Sequence, residues 1–321
     1  MTETTRPTVR IFGSYAKALV VTADRIPLVG ETLIGRGYRE TYGGKGSDMA
    51  VQAARLGAAV DYVGVVGNDT FGREFADLMA VEGVRTEHLR TVDGIPTGVG
   101  LIVKDEAGHN IIVVDKGAND DFGRGDVDAA CAASEPFAVA LAQLEIPIET
   151  ALYGLGRARA AGSTTILNPA PATDLRGQDL SSVDLLTPNE TEARILVGRD
   201  PDDPIDLDTL AGELLALGVR TVVITLGEAG ARLVEQVPNG DLVATSVPAW
   251  PVEVVDSNGA GDSFNAGLAV GLAEGRSLVE AATFAGAVAG LCCQEWETVP
   301  SYQDRATVDR FMTENREGAL A

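Results

Sequence analysis

The chain has 321 residues, 45% of them hydrophobic and 22% charged, and a formal net charge of −22. That length suffices for one large core, while the acidic balance makes nucleic acid and anionic membrane surfaces poor partners. The start, MTETTRPTVRIFG, carries no apolar leader stretch, no run nears the length of a membrane span, and Cys131, Cys292 and Cys293 show no paired or metal-ligand spacing, so a cytoplasmic protein is expected.

In chain order, TVRIFG predicts a strand, SDMAVQAARLG a helix and VDYVGVVG a second strand. A helix over REFADLMAVEG, a strand over FAVALAQLE, a helix over ETALYGLGRARAAG and a strand over TTILN follow. VDLLTPN predicts a strand before the helix ETEARILVG, and the helix LDTLAGELLALG precedes the strand RTVVITLG. VEVV (252–255) predicts one more strand, and after residue 262 the pattern is helical to the end. Near-continuous apolar strands alternating with helices specify an α/β fold with a mostly parallel central sheet sandwiched by helices. Residues 17–42 and 97–116 break this rhythm with period-two alternation, and DEAGHN (105–110) predicts a turn between two strands. The expectation is a core of residues 1–16, 43–96 and 117–321 carrying a small inserted antiparallel β lid from 17–42 and 97–116.

A fold of this class invites a search for phosphate loops. The pattern G-x4-G-K-[ST] fails at GGKGS, where Arg39 takes the first glycine's place and Gly46 follows the lysine. The pattern G-x-G-x-x-G fails at GLGRAR and GRGDVD, and no G-x-S-x-G elbow is present. The junction DSNGAGDSF (256–264) is different. Gly259, Ala260 and Gly261 precede a small-residue helix, and free backbone N–H groups at such a start make an anion hole. Asp262 follows in the first turn, where the helix dipole is expected to hold its carboxylate ionised as a weak base for phosphoryl transfer.

GGKGSDMAVQAARLGA (43–58) and VDSNGAGDSFNAGLA (255–269) resemble the N- and C-terminal signatures of the ribokinase branch of the PfkB carbohydrate-kinase family. QLEIP (143–147), LNPAPA (167–172), TPNETEA (187–193) and ITLGEAG (224–230) lie between them in ribokinase-like order. The resemblance implies a kinase using ATP and Mg²⁺, with K⁺ as a candidate activator, and a small sugar or polyol as acceptor. It makes Asp262 the catalytic base, with Gly259, Ala260 and Gly261 holding the γ-phosphate. Asn189, Thr225, Gly227 and Gly230 fall on the nucleotide side, and Glu192 near hydrated Mg²⁺. Asn189 and Glu192 also read as an ordinary capping box, and both roles can coexist. Ser14, Ala16, Ala18, Gly44, Lys45, Asp48 and Glu145 fall on the sugar side. Asp256 and Asn258 mark a candidate K⁺ loop, and pairing through the lid implies a homodimer.

The chain departs from that branch in three places. GSYAKAL puts Ala16 and Ala18 where the branch has Asn and Asp, and GGKGSD puts Asp48 where it has Asn. Lost hydroxyl contacts of this kind cost roughly 1–3 kcal/mol each, so an acceptor other than ribose is expected. In CQEWETVPS (293–301), Glu295 and Glu297 stand at the branch's Arg and Gly positions, which leaves K⁺ activation open. A nucleoside or ketodeoxy sugar acid is the alternative acceptor, and a non-catalytic sugar or nucleotide sensor is the alternative class.

Overall fold

The apolar runs form the strands of one large sheet. In a computed structural model, described over residues 6–105, 109–133, 136–237 and 240–315, the chain begins with β1 (Thr8–Phe12), β2 (Ala16–Thr22), β3 (Arg36–Gly43), α1 (Lys45–Arg55), β4 (Ala59–Gly67) and α2 (Thr70–Val81). It continues through β5 (Arg85–Val92), β6 (Gly98–Lys104), β7 (Asn110–Asp115), α3 (Arg124–Ala133), β8 (Val139–Gln143), α4 (Ile148–Ala160) and β9 (Thr164–Asn168). After β10 (Leu185–Leu186) come α5 (Glu190–Leu196), α6 (Leu207–Leu215), β11 (Thr221–Thr225), β12 (Ala231–Gln236) and β13 (Leu242–Val247). Helices α7 (Ala260–Ala273), α8 (Leu278–Cys292) and α9 (Arg305–Glu314) end the described chain.

The nine-stranded sheet runs β13-β12-β11-β10-β9-β8-β1-β4-β5 and is parallel from β11 to β5. Successive strand residues feed opposite faces. Ile11, Leu141, Ile166 and Val223 pack with Met49 of α1, Phe75 of α2, Leu268 of α7 and Phe284 of α8. Phe12, Ala142, Leu167 and Val222 pack with Val127 of α3, Leu155 of α4, Leu196 of α5 and Leu214 of α6. The result is the expected helix–sheet–helix sandwich.

A second sheet, β3-β2-β6-β7, stands apart from the first. Its outer pairs β2–β3 and β6–β7 are antiparallel, while the central pair β2–β6 is parallel. The reason lies in the core. β2 follows β1 and β6 follows β5, and these core strands run the same way, so both excursions leave in one direction. Buried Asn119 ties the root of this sheet to the core: its Oδ1 accepts from Tyr15 N at 3.0 Å and its Nδ2 donates to Tyr15 O at 2.8 Å. The turn expected at DEAGHN falls partly on residues 106–108, outside the described residues.

Two local expectations differ. VEVV forms no strand: Val254 and Val255 are exposed, and Val255 N donates to the Cys293 carbonyl rather than to a strand. The predicted VDLLTPN strand shrinks to Leu185–Leu186 plus a lone bridge between Asn189 and Thr225. The three cysteines are free thiols. Among the described residues no helix is long and apolar enough to cross a membrane.

Candidate active site

Ligands of open parallel sheets bind at the carboxyl ends of the strands, and the sequence-predicted residues converge on that edge. Ser14 follows β1, Glu145 follows β8 and Thr225 ends β11. Gly44 and Lys45 start α1, Asn189 caps α5, and Gly259 caps α7. Between this edge and the small sheet lies a cavity of about 260 Å³. Ala16, Ala18, Gly44, Lys45, Asp48, Glu145, Asp256, Asn258, Gly259 and Asp262 line it.

The floor is an organised polar cluster. Ser14 Oγ donates to Glu145 Oε2 at 2.5 Å, and Lys45 N donates to the same oxygen at 2.8 Å. Glu145 thus fixes the start of α1 to the end of β8. Gly44 must be glycine, since its φ is 93° and a Cβ would sit 2.8 Å from Tyr15 Cα and 2.9 Å from Ala16 N. The same close approach holds α1 against the β1–β2 corner.

Asp262 lies opposite, in the first turn of α7, and is 6% exposed. Its Oδ1 has no hydrogen-bond partner and faces Lys45 Nζ at 3.9 Å. No side chain caps α7; Ala260 N donates to the Ser257 carbonyl at 3.3 Å, and the neighbouring N–H groups of this first turn are the ones an anion would meet. Beside them Gly261 borders open space, with nothing within 4 Å of an added Cβ. Asn265 steadies this turn: its Nδ2 donates to Gly261 O at 2.8 Å and its Oδ1 accepts from Thr187 Oγ1 at 2.6 Å.

The electrostatics correct one expectation. Burial pushes the Asp262 carboxyl up to about 6; Lys45 opposes the shift, and Glu145 and Glu192 add to it. Desolvation therefore outweighs the attraction of Lys45, and the carboxyl stands above its ordinary value, not below it. Lys45 is raised in turn, chiefly by Asp262, and stays cationic. Asp48, 3% exposed with its Oδ1 unpartnered, is pushed well up by burial and then by Asp262 and Glu145.

Asn189, Glu192, Thr225, Gly227 and Gly230 lie outside the lining of that cavity, whereas Asp256, Asn258 and Glu297 belong to it. Asn189 and Glu192 form a complete capping box, Asn189 Oδ1 accepting from Glu192 N at 2.8 Å and Glu192 Oε2 from Asn189 N at 2.9 Å. Glu192 also contributes to the potential at Asp262 and Lys45. Gly227 and Gly230 shape the turn after β11, Gly230 packing against the Val247 carbonyl at the end of β13. Asp256 Oδ1 accepts from Asn258 N at 3.0 Å, and Asp256 Oδ2 from Glu297 N at 3.1 Å. Glu297 has φ 72°, which explains why a glycine suits that position. Its carboxylate pairs with Arg39 Nε at 2.5 Å, joining the small sheet to the loop before α9. Glu295 Oε1 accepts from Gln303 Nε2 at 3.3 Å.

Sequence reasoning missed Arg39, Thr298 and Asn265. Arg39 and Thr298 line the cavity from segments far apart in the chain, and no local pattern signals that meeting. Asn265 was visible only as part of a helix.

The model of the pfkB family of carbohydrate kinases matches residues 8–305. The chain belongs to this family. Within it, the chain is 40% identical over 281 residues to the ribokinase of Bacillus subtilis (strain 168), covering 88% of this chain and 91% of the relative. It is 32% identical over 259 residues to the deoxyribokinase of Salmonella typhi, covering 80% of this chain and 82% of the relative. The solved structure of Arabidopsis thaliana ribokinase complexed with ribose and ATP superposes with a TM-score of 0.83 at 31% identity, over 96% of this chain and 99% of that one. As a pfkB kinase, the protein is a phosphotransferase with a sugar hydroxyl as acceptor, built on a ribokinase-like fold.

Proposed function

We propose that this kinase transfers the γ-phosphoryl group of ATP to a hydroxyl of a small sugar or polyol, with Asp262 as base. The observation that carries this reading is the unpartnered Asp262 Oδ1, buried at the cavity floor beside an uncapped helix start and 3.9 Å from Lys45 Nζ. A buried carboxylate is costly unless something uses it.

The chemistry follows from the placement. The acceptor O–H donates to the Asp262 carboxylate, and its oxygen bonds to phosphorus as the bond to the β-phosphate oxygen breaks and ADP leaves. The transition state is loose, so the proton moves late and a weak base suffices. The N–H groups at the start of α7, over Gly259, Ala260 and Gly261, then face the transferring oxygens and stabilise the charge that builds there. Lys45 stays cationic and balances the acidic floor. Asn189, Thr225, Gly227 and Gly230 border the nucleotide. Glu192 would hold Mg²⁺ through water, and the ion would neutralise phosphate charge there. Asp256 and Asn258 form the candidate K⁺ loop. The small sheet acts as a lid over the acceptor and limits ATP hydrolysis by excluding water. A cytoplasmic homodimer joined through the lid completes the reading.

Relatives named ribokinase and deoxyribokinase support a pentose as acceptor. They lend no support to the expectation that ribose is excluded; that expectation rests on Asp48 and on Ala16 and Ala18, which leave β2 without a polar side chain over the cavity. The test is ADP release coupled to NADH oxidation across a panel of sugars. Asp262→Asn should lower turnover by about 10²–10⁴-fold with the fold intact by circular dichroism. Near-normal turnover in that variant would remove Asp262 from the mechanism.

A further inference from the structure

The cavity has two unlike walls. The core floor carries Lys45, Asp48, Glu145 and Asp262, whereas β2, β6 and β7 face it with Ala16, Ala18, Val20, Ile102, Ile112 and Val114; β3, at the edge of the small sheet, adds polar residues at Arg39, Thr41 and Tyr42. Polar side chains of β2, β6 and β7 come at the far end of that wall, where Lys104 pairs with Asn110. On the floor, Glu145 is already engaged by Ser14 and by the Lys45 amide, and Asp262 answers the reacting hydroxyl. Asp48 is left over. It is 3% exposed, lines the cavity and has an oxygen without a partner. An acceptor buried this way, unsatisfied by protein, is a group waiting for a ligand donor. Across the cavity the reverse holds, since a ligand hydroxyl turned toward alanine and valine leaves water and gains no bond.

We propose that the acceptor is a deoxy sugar or deoxy polyol, which turns its hydroxyls to the floor, where Asp48 grips them, and a bare C–H edge to β2, where Ala16 and Ala18 stand. This rests on the kinase reading and adds the acceptor's chemical class. Asp48 is the group that sets specificity, and Ala16 and Ala18 are the surfaces that favour the deoxy edge.

The test measures kcat/KM for 2-deoxyribose and ribose with saturating ATP, and binding of both sugars by calorimetry. The wild-type protein should favour 2-deoxyribose by about tenfold or more, the discrimination expected of one unmatched hydroxyl. Asp48→Ala should raise KM for 2-deoxyribose at least about tenfold and leave KM for ATP unchanged. Asp48→Asn, which keeps a hydrogen-bonding head, should recover most of that loss. Ala18→Asp should move the preference toward ribose. A wild-type preference for ribose, or for inosine over both sugars, overturns the proposal, as does an unchanged sugar KM in Asp48→Ala. Should no sugar be phosphorylated, the kinase reading falls, while calorimetry still decides between the two acceptors.

Discussion

Asp262 carries its catalytic readiness as a stability cost. Its carboxyl ordinarily titrates near 3.8 and stands at about 6 in the fold. The folded state thus binds this proton more tightly than the unfolded chain, so stability falls as pH rises from about 4 to 6 and the full cost persists above. Asp262→Asn should therefore raise stability at pH 8 by ~2 kcal/mol and by almost nothing at pH 3.5, measured by urea denaturation. In the same window, turnover of the wild-type protein should fall as pH drops below about 6, where the base becomes protonated. Equal stabilisation at both pH values would mean that the carboxyl is not desolvated. Asp262, Lys45 and Glu145 were legible in the sequence because each stands in a short motif beside a predicted strand or helix end. The direction of the Asp262 shift was not, because it depends first on how deeply the fold buries the carboxyl and then on Lys45, Glu145 and Glu192, brought near by the fold and not by the chain.

The first turn of α7 separates two roles for glycine. Gly259 has φ 77°, and an added Cβ would lie 2.8 Å from the Tyr302 hydroxyl and 3.0 Å from Thr298 Cγ2. Gly259→Ala should cost ~1–3 kcal/mol in thermal denaturation, because the left-handed backbone and the contact both oppose it. Gly261 is helical, and a Cβ added there would have open space around it out to 4 Å. Gly261→Ala should leave stability the same or higher by up to ~1 kcal/mol. Its kcat/KM should nonetheless fall about tenfold or more if a phosphate rests against that surface. A fully active Gly261→Ala protein would place the phosphate elsewhere. At this scale the sequence was readable wherever the period was long: α1, α2, α4, α6 and the parallel strands followed from it. The antiparallel hairpin β12–β13 and the edge strand β5 were missed, since ARLVEQ, LVATSV and RTEHLRTV carry charged and polar residues that an edge tolerates and a buried strand does not. VEVV has strand composition, but the Val255 N–H is taken by the Cys293 carbonyl at the end of α8.

For the whole molecule, the outer face of the lid is the feature without a covering. Leu101 and Val113 are cross-strand partners, and with Ile111 they are about half exposed or more. A proposed homodimer would cover them. Light scattering should give twice the 33.4 kDa chain mass. Replacing Leu101 and Val113 together by Glu should weaken association at least about a hundredfold, since charges would enter an apolar interface. A monomeric wild-type protein would leave that face to another partner. The lid's existence was legible from two stretches of period-two alternation. Its parallel seam was not, because the seam follows from the direction in which two distant core strands point.

That seam has a mechanical side. β2 starts at Ala16, just after Ser14, and β3 ends at Gly43, just before Gly44 and Lys45. No slack separates the cover from the chemistry on either route. A tilt of the upper sheet pulls directly on the serine that braces Glu145 and on the backbone that presents Lys45. If the small sheet closes over a sugar as proposed, the two sheets would work as a lever whose fulcrum is the floor itself, and seating the acceptor and aligning Glu145 and Lys45 would be one motion.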